Sequence, residues 1–163
     1  MSNKFKFGKR SKAKLYGDTT HPGVAKEVAE LCVLALSYST VDFGIIDGFR
    51  LTHEQQHMYK IGNSELDGVN KLSAHQIGLA VDVLPSNTSG TCKGLNMFDV
   101  STPEVRAVWL EVYRAFMRAA MKLGLSLEFG LGYNIHGGRD WPHLQVVGHA
   151  NKSKHEMALS PRD

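Results

Sequence analysis

The chain has 163 residues, 42% of them hydrophobic, and a net charge of +3. That size suits a single catalytic or binding domain spanning residues 1–163, with a real core and no room for a second domain. No apolar run is long enough to span a membrane, and the basic start MSNKFKFGKRSKAK lacks the apolar stretch of a secretory signal, so synthesis in the cytosol is expected.

Lys4, Lys6, Lys9, Arg10, Lys12 and Lys14 all precede the first acidic residue, Asp18, which leaves the rest slightly acidic. Residues 1–16 therefore read as a solvated basic arm, with adhesion to an anionic polymer or envelope surface as the functional alternative. Nucleic acid is disfavoured, because no basic stripe with interleaved aromatics follows. Cys32 and Cys92 lie far apart without C-x-x-C spacing and read as free thiols of a reducing compartment.

In chain order, residues 22–36 read as a helix with Val24, Val28, Leu31 and Ala35 along one face. Residues 41–46 read as a short strand ending at Gly48. Residues 52–61 read as a short helix opened by a Thr52–Gln55 capping box and closed by Gly62. Residues 79–84 read as a strand stopped by Pro85, and 87–96 as a polar loop. The strongest helix is 101–123. Ser101 and Glu104 form a capping box, Pro103 sits in the first turn, and Gly124 is the stop. Its stripe of Val105, Val108, Trp109, Val112, Phe116, Ala119 and Leu123 is core. Strands at 125–129 and 143–147 follow, and from residue 148 the chain reads as a loose polar tail. Short strands mixed irregularly with helices argue α+β around a small antiparallel sheet flanked by helices.

Two stretches compete for the active site. The first, THEQQHMYK, contains HEQQH, a literal H-E-x-x-H match to the helix of zinc proteases. A third ligand is missing: the extended motif needs Gly at 60 and His at 63, where Lys60 and Asn63 stand, and Glu65 is too close to fold back. His53 falls in an exposed first turn, and the segment is polar all round. HEQQH therefore reads as a solvated helix face.

The second stretch is SAHQIGLAVD. On its strand Ala80, Asp82 and Leu84 share one face and Leu79, Val81 and Val83 the other. Asp82 is a charge among apolar neighbours, costly to bury unless paired or metal-bound. His75 precedes it across Gly78. In GGRDWPHLQV, His143 opens the last strand and Asp140 lies three residues earlier, across Pro142. Two histidines and one aspartate make a three-ligand zinc site with a fourth position open to water, which marks a catalytic site. Asp140 is then a carboxylate free to move the water proton. A buried ion pair between Asp82 and a histidine, with an ordinary His143, explains the same residues equally well from spacing alone.

At these residues the chain resembles the zinc D-Ala-D-Ala metallopeptidase family. SAHQIGLAVD is similar to that family's S-x-H-x-x-G-x-A-x-D, DWPH to its acid-x-x-His element, and GFRLTHEQ to its G-[YF]-R-x-x-x-x-Q segment. The three stand in the expected order, and the resemblance runs from about residue 5 to 147. The short basic start and single-domain size look most like phage endolysins, L-alanyl-D-glutamate endopeptidases that cut the stem peptide of peptidoglycan. The resemblance implies the LAS-type zinc peptidase fold, one Zn2+ per chain on His75, Asp82 and His143, and Asp140 as base. Many relatives have Glu where Asp140 stands, and the shorter arm requires a closer backbone. It implies Arg50 for stabilising the oxyanion or a substrate carboxylate, with Ser73 and Gln55 lining the site. It further implies a monomer acting on the wall after a holin-like partner breaches the membrane, without inserting into it. With no wall-binding domain visible, the thin Gram-negative wall is the expected target. The rivals are a D-Ala-D-Ala carboxypeptidase or dipeptidase and, outside enzymes, a silent wall-binding module, against which the intact Asp140 and Arg50 count.

Overall fold

The computed structural model describes residues 5–132 and 139–148. The chain runs α1 (Lys9–Tyr16), α2 (Lys26–Tyr38), β1 (Phe43–Asp47), α3 (Thr52–Lys60), β2 (Ala80–Pro85), α4 (Pro103–Leu123), β3 (Ser126–Phe129) and β4 (His143–Val147), with 3-10 turns at Gly90–Cys92 and Gly130–Gly132. The four strands form one sheet in the order β1-β2-β4-β3, every neighbouring pair antiparallel. This is the expected α+β class.

Strand alternation gives the sheet two faces. Phe43 and Ile45 of β1, Val81 and Val83 of β2, and Leu144 and Val146 of β4 are buried in one core with α2 and α4. The residues between them, Asp82, His143 and Gln145 among them, project from the opposite face. The apolar stripe of α4 is core as expected, and Trp109, fully buried, donates its indole N–H to the Met97 carbonyl at 2.8 Å. Gly124, in the left-handed conformation, ends the helix.

Four local expectations change. The basic start is no free arm over its whole length. Residues 9–16 are helical, Leu15 is buried, and Ser11 Oγ accepts the Ile45 N–H of edge strand β1 at 2.9 Å. Lys9, Arg10 and Lys12 stay exposed on the outer side. Helix α2 starts at Lys26, because the preceding residues are committed elsewhere: Pro22 bridges Gly17, Val24 N–H donates to Leu15, and Ala25 N–H to Gly78. The Ser101–Glu104 capping box does not form. Ser101 Oγ donates to Asp99 instead, Thr102 takes the N-cap, and Pro103 is the first helical residue. At α3 it is Glu54, not Gln55, that closes the first turn, accepting the Leu51 N–H at 2.9 Å.

Both cysteines are buried and unpaired. Among the described residues no helix is long and apolar enough to cross a membrane. The expected loose tail lies outside the described residues from position 149.

Candidate metal centre

Strands β2 and β4 are neighbours, and Asp82 and His143 are direct cross-strand partners. Both side chains therefore leave the same face of the sheet. His75 reaches the same point from the loop before β2. Asp82 Oδ1, His75 Nε2 and His143 Nδ1 form a triangle with all three sides 3.2 Å. Tetrahedral bonds of about 2.0–2.1 Å place neighbouring ligand atoms about 3.3–3.4 Å apart. The triangle is thus already the right size for such an ion.

The ring tautomers agree. His75 Nδ1 lies 2.8 Å from the Gly48 carbonyl, which can only accept, so that nitrogen carries the proton and Nε2 offers a lone pair. His143 Nε2 lies 2.8 Å from Gln145 Oε1, and Gln145 donates its amide to Glu128 at 2.9 Å. His143 Nε2 is then the donor and Nδ1 the lone pair. Two imidazole lone pairs and a carboxylate oxygen converge, an arrangement that calls for a positive charge at its centre. Burial pushes the Asp82 carboxyl up, but the two histidines outweigh it and hold that carboxyl far below the carboxylate range. For His143, burial opposes protonation, yet Asp82 and Gln145 raise it above the ordinary histidine range. Those two shifts are what an ion pair with protonated rings would produce without a metal, but the distances fit such a pair less well. Charge-assisted contacts run shorter, about 2.7–2.9 Å, and an ion pair gives no reason for the two ring nitrogens to face each other. Among the described residues, His75, Asp82 and His143 are the group able to hold a metal ion.

Gln145 and Glu128 were not singled out from the sequence. Gln145 lies two residues beyond His143 on the same strand face, and Glu128 is its cross-strand partner on β3. Replacing Gln145 with Leu frees the His143 ring to turn and should weaken metal binding about 10–100-fold, read by competition against a chelator. Unchanged affinity would mean that something else orients the ring.

Asp140 stands beside the triangle on a segment pinned from several sides. Its N–H donates to Gly130 at 3.3 Å, and its carbonyl accepts from His143 at 3.4 Å. A Cβ at Gly130 would collide with the Asp140 carbonyl and come within 2.9 Å of both the Asp140 and His143 Cβ atoms. Glycine is what lets the two segments touch. The Tyr113 hydroxyl donates to the Trp141 carbonyl at 2.5 Å, and the two rings stack. Asp140 is half-buried, and burial, followed by the charge on Asp82, raises its carboxyl above the usual range. Such a group takes up a proton more readily than an exposed aspartate.

Arg50 is tied to the same framework. Its backbone N–H donates to the His75 carbonyl at 3.1 Å. Its guanidinium gives Nη1 to Gln55 at 2.7 Å and Nη2 to Asp47 at 2.6 Å. Gln55 is fully buried and spends its amide on Ser64 and Leu66. It does not line the cleft; it sits beneath and aims Arg50. Ser73 is also buried. Its N–H donates to Gln76 Oε1 at 3.0 Å and its Oγ accepts from Gln76 N–H at 3.3 Å, which shapes the loop that presents His75. His53 and His57 lie exposed on α3 and take no part in the triangle. Both line a separate cavity of about 370 Å³ beside Arg50.

A family model described as phage L-alanyl-D-glutamate peptidase matches residues 1–145. The chain belongs to this family. It is 30% identical over 133 residues to the L-alanyl-D-glutamate peptidase of Escherichia phage T5, covering 82% of this chain and 85% of the relative. It is 26% identical over 132 residues to the peptidoglycan L-alanyl-D-glutamate endopeptidase CwlK of Bacillus subtilis, covering 78% and 73% respectively. The crystal structure of the Serratia marcescens L-Ala D-Glu endopeptidase ChiX superposes with a TM-score of 0.65 at 25% identity, over 90% of this chain and 93% of that one. The LAS-type fold expected from the sequence motifs is therefore the fold of a solved L-Ala D-Glu endopeptidase.

Proposed function

We propose that this chain is a zinc-dependent peptidoglycan endopeptidase that cuts the L-Ala–D-Glu bond of the stem peptide, working as a phage endolysin. The observation that carries the metal chemistry is the 3.2 Å triangle of His75, Asp82 and His143, with each ring nitrogen's partner fixing its lone pair inward. When bound, zinc supplies Lewis acidity toward water and the scissile carbonyl. Asp140 accepts the proton of the attacking water, and the same carboxyl then delivers it to the leaving amine of D-Glu. Arg50, braced by Gln55 and Asp47, presents its remaining N–H groups to negative charge on the substrate.

The chain is made in the host cytoplasm, acts as a monomer, and reaches the wall once a holin-like partner has opened the inner membrane. Stripping the protein with a chelator should abolish release of soluble fragments from isolated sacculi, and one equivalent of zinc should restore it. Full activity of a protein verified metal-free would overturn the metal mechanism.

Arg50→Lys keeps the charge but cannot reproduce a fork that grips Gln55 and Asp47 together. A loss of about 10²-fold in kcat/KM is expected, within the range for an electrostatic stabiliser. Unimpaired turnover in Arg50→Ala would make the guanidinium purely structural.

A further inference from the structure

The cavity beside Arg50 has a composition that the reaction as described does not use. None of the three converging ligands lines it; Lys14, Arg50, His53 and His57 do. Its two carboxylates are already committed. Asp47 is held by Arg50 at 2.6 Å, and Glu54 by His21 at 2.8 Å and by the Leu51 N–H at 2.9 Å. Among the described residues, the polar groups left to meet a ligand are cationic or hydrogen-bond donating: Lys14, the guanidinium N–H groups of Arg50 beyond those given to Gln55 and Asp47, and two exposed imidazoles, with Met58 beside them. The cavity is also joined to the metal centre by backbone. Arg50 lines the cavity, and its backbone N–H, together with the Gly48 carbonyl two residues earlier, holds His75. Helix α1 packs against the same segment, where a Cβ on Gly48 would stand 2.8 Å from the Lys14 carbonyl, and its Lys14 lines the cavity.

We propose that this cavity is a subsite for a free carboxylate on the amine side of the scissile bond, with Lys14 as its principal contact and His53 and His57 as auxiliary donors. The inference rests on the endopeptidase reading. In a stem peptide D-Glu is linked through its γ-carboxyl, so its α-carboxylate hangs one carbon from the scissile nitrogen. The following diamino acid carries further carboxylates. The shared chemistry is a carboxylate held by a lysine and donors within one cleft. The basic helix and the HEQQH histidines then share one role, in selecting the peptide rather than in binding metal.

The test uses the zinc-loaded full chain and three L-Ala–γ-D-Glu–diaminopimelate peptides. One is unmodified, one has the D-Glu α-carboxylate amidated, and one has the diaminopimelate carboxylates amidated. The wild type should lose roughly fivefold in KM with one amidated peptide, as for a solvent-accessible charged contact, and which one identifies the carboxylate. Lys14→Gln keeps helix propensity. It should bring the KM ratio of amidated to unmodified peptide close to one, Lys14→Arg should restore the ratio, and the double change His53→Gln, His57→Gln should reduce it. Equal KM values for all three peptides, or a full preference surviving in Lys14→Gln, overturns the subsite while leaving the endopeptidase reading intact. Cleavage of none of the peptides overturns the endopeptidase reading and the subsite with it.

Discussion

Replacing His75, Asp82 or His143 with alanine should strip the metal and lower kcat/KM by about three orders of magnitude or more, the scale of losing several kcal/mol of charge stabilisation in the transition state. Each change leaves two donors where a tetrahedral ion needs three from the protein. All three residues lie on the sheet face opposite the apolar core or in the loop leading to it, so the fold should survive. Metal content per chain and far-ultraviolet circular dichroism separate the two effects. His53→Ala and His57→Ala should keep one metal per chain, because neither ring approaches the triangle. Metal lost from the His57 variant but retained in the His75 variant would transfer the site to HEQQH.

The second large effect belongs to Asp140→Asn. The amide keeps the shape, so the backbone contacts with Gly130 and His143 and the stacking of Trp141 should persist. It cannot accept the proton of the attacking water. Turnover should fall about 10²- to 10⁴-fold with metal content unchanged. A metal-loaded Asp140→Asn protein with near-normal turnover would remove Asp140 from the chemistry.

The charged member of the candidate metal centre was legible in the sequence because a strand alternates. Asp82 stands out between Val81 and Val83, both fully buried on the other face. His143, at the start of the last strand, was legible as a ligand type in a suitable place. Their meeting was not, since the β2–β4 register is a property of two segments some sixty residues apart. Choosing between metal and ion pair needed the distances themselves. Gln145 could have been found as the residue two beyond His143, where side chains share a face.

Gln55 was expected to line the site, and its burial was hidden for a different reason. Hydrophobic periodicity assigns a glutamine to solvent, yet this one is fully buried because Arg50, Ser64 and Leu66 satisfy its amide. The apolar signal of α1 is one buried leucine in eight helical residues, too weak to mark a helix against six basic residues at the start of the chain. At α4, the Ser101 signature was genuine but Asp99 captured the hydroxyl first. At Gln55 and Ser101 the error is a polar group finding a partner that sequence spacing does not disclose.

The bond that is cut decides the central claim. An endopeptidase acting at L-Ala–D-Glu leaves a D-glutamate with a new free amine, whereas a carboxypeptidase releases terminal D-alanine. N-terminal labelling and mass spectrometry of a Gram-negative peptidoglycan digest read both products at once. New N-terminal D-glutamate with no free D-alanine is the expected result. Free D-alanine as the main product would contradict the endopeptidase assignment, even with the metal centre intact.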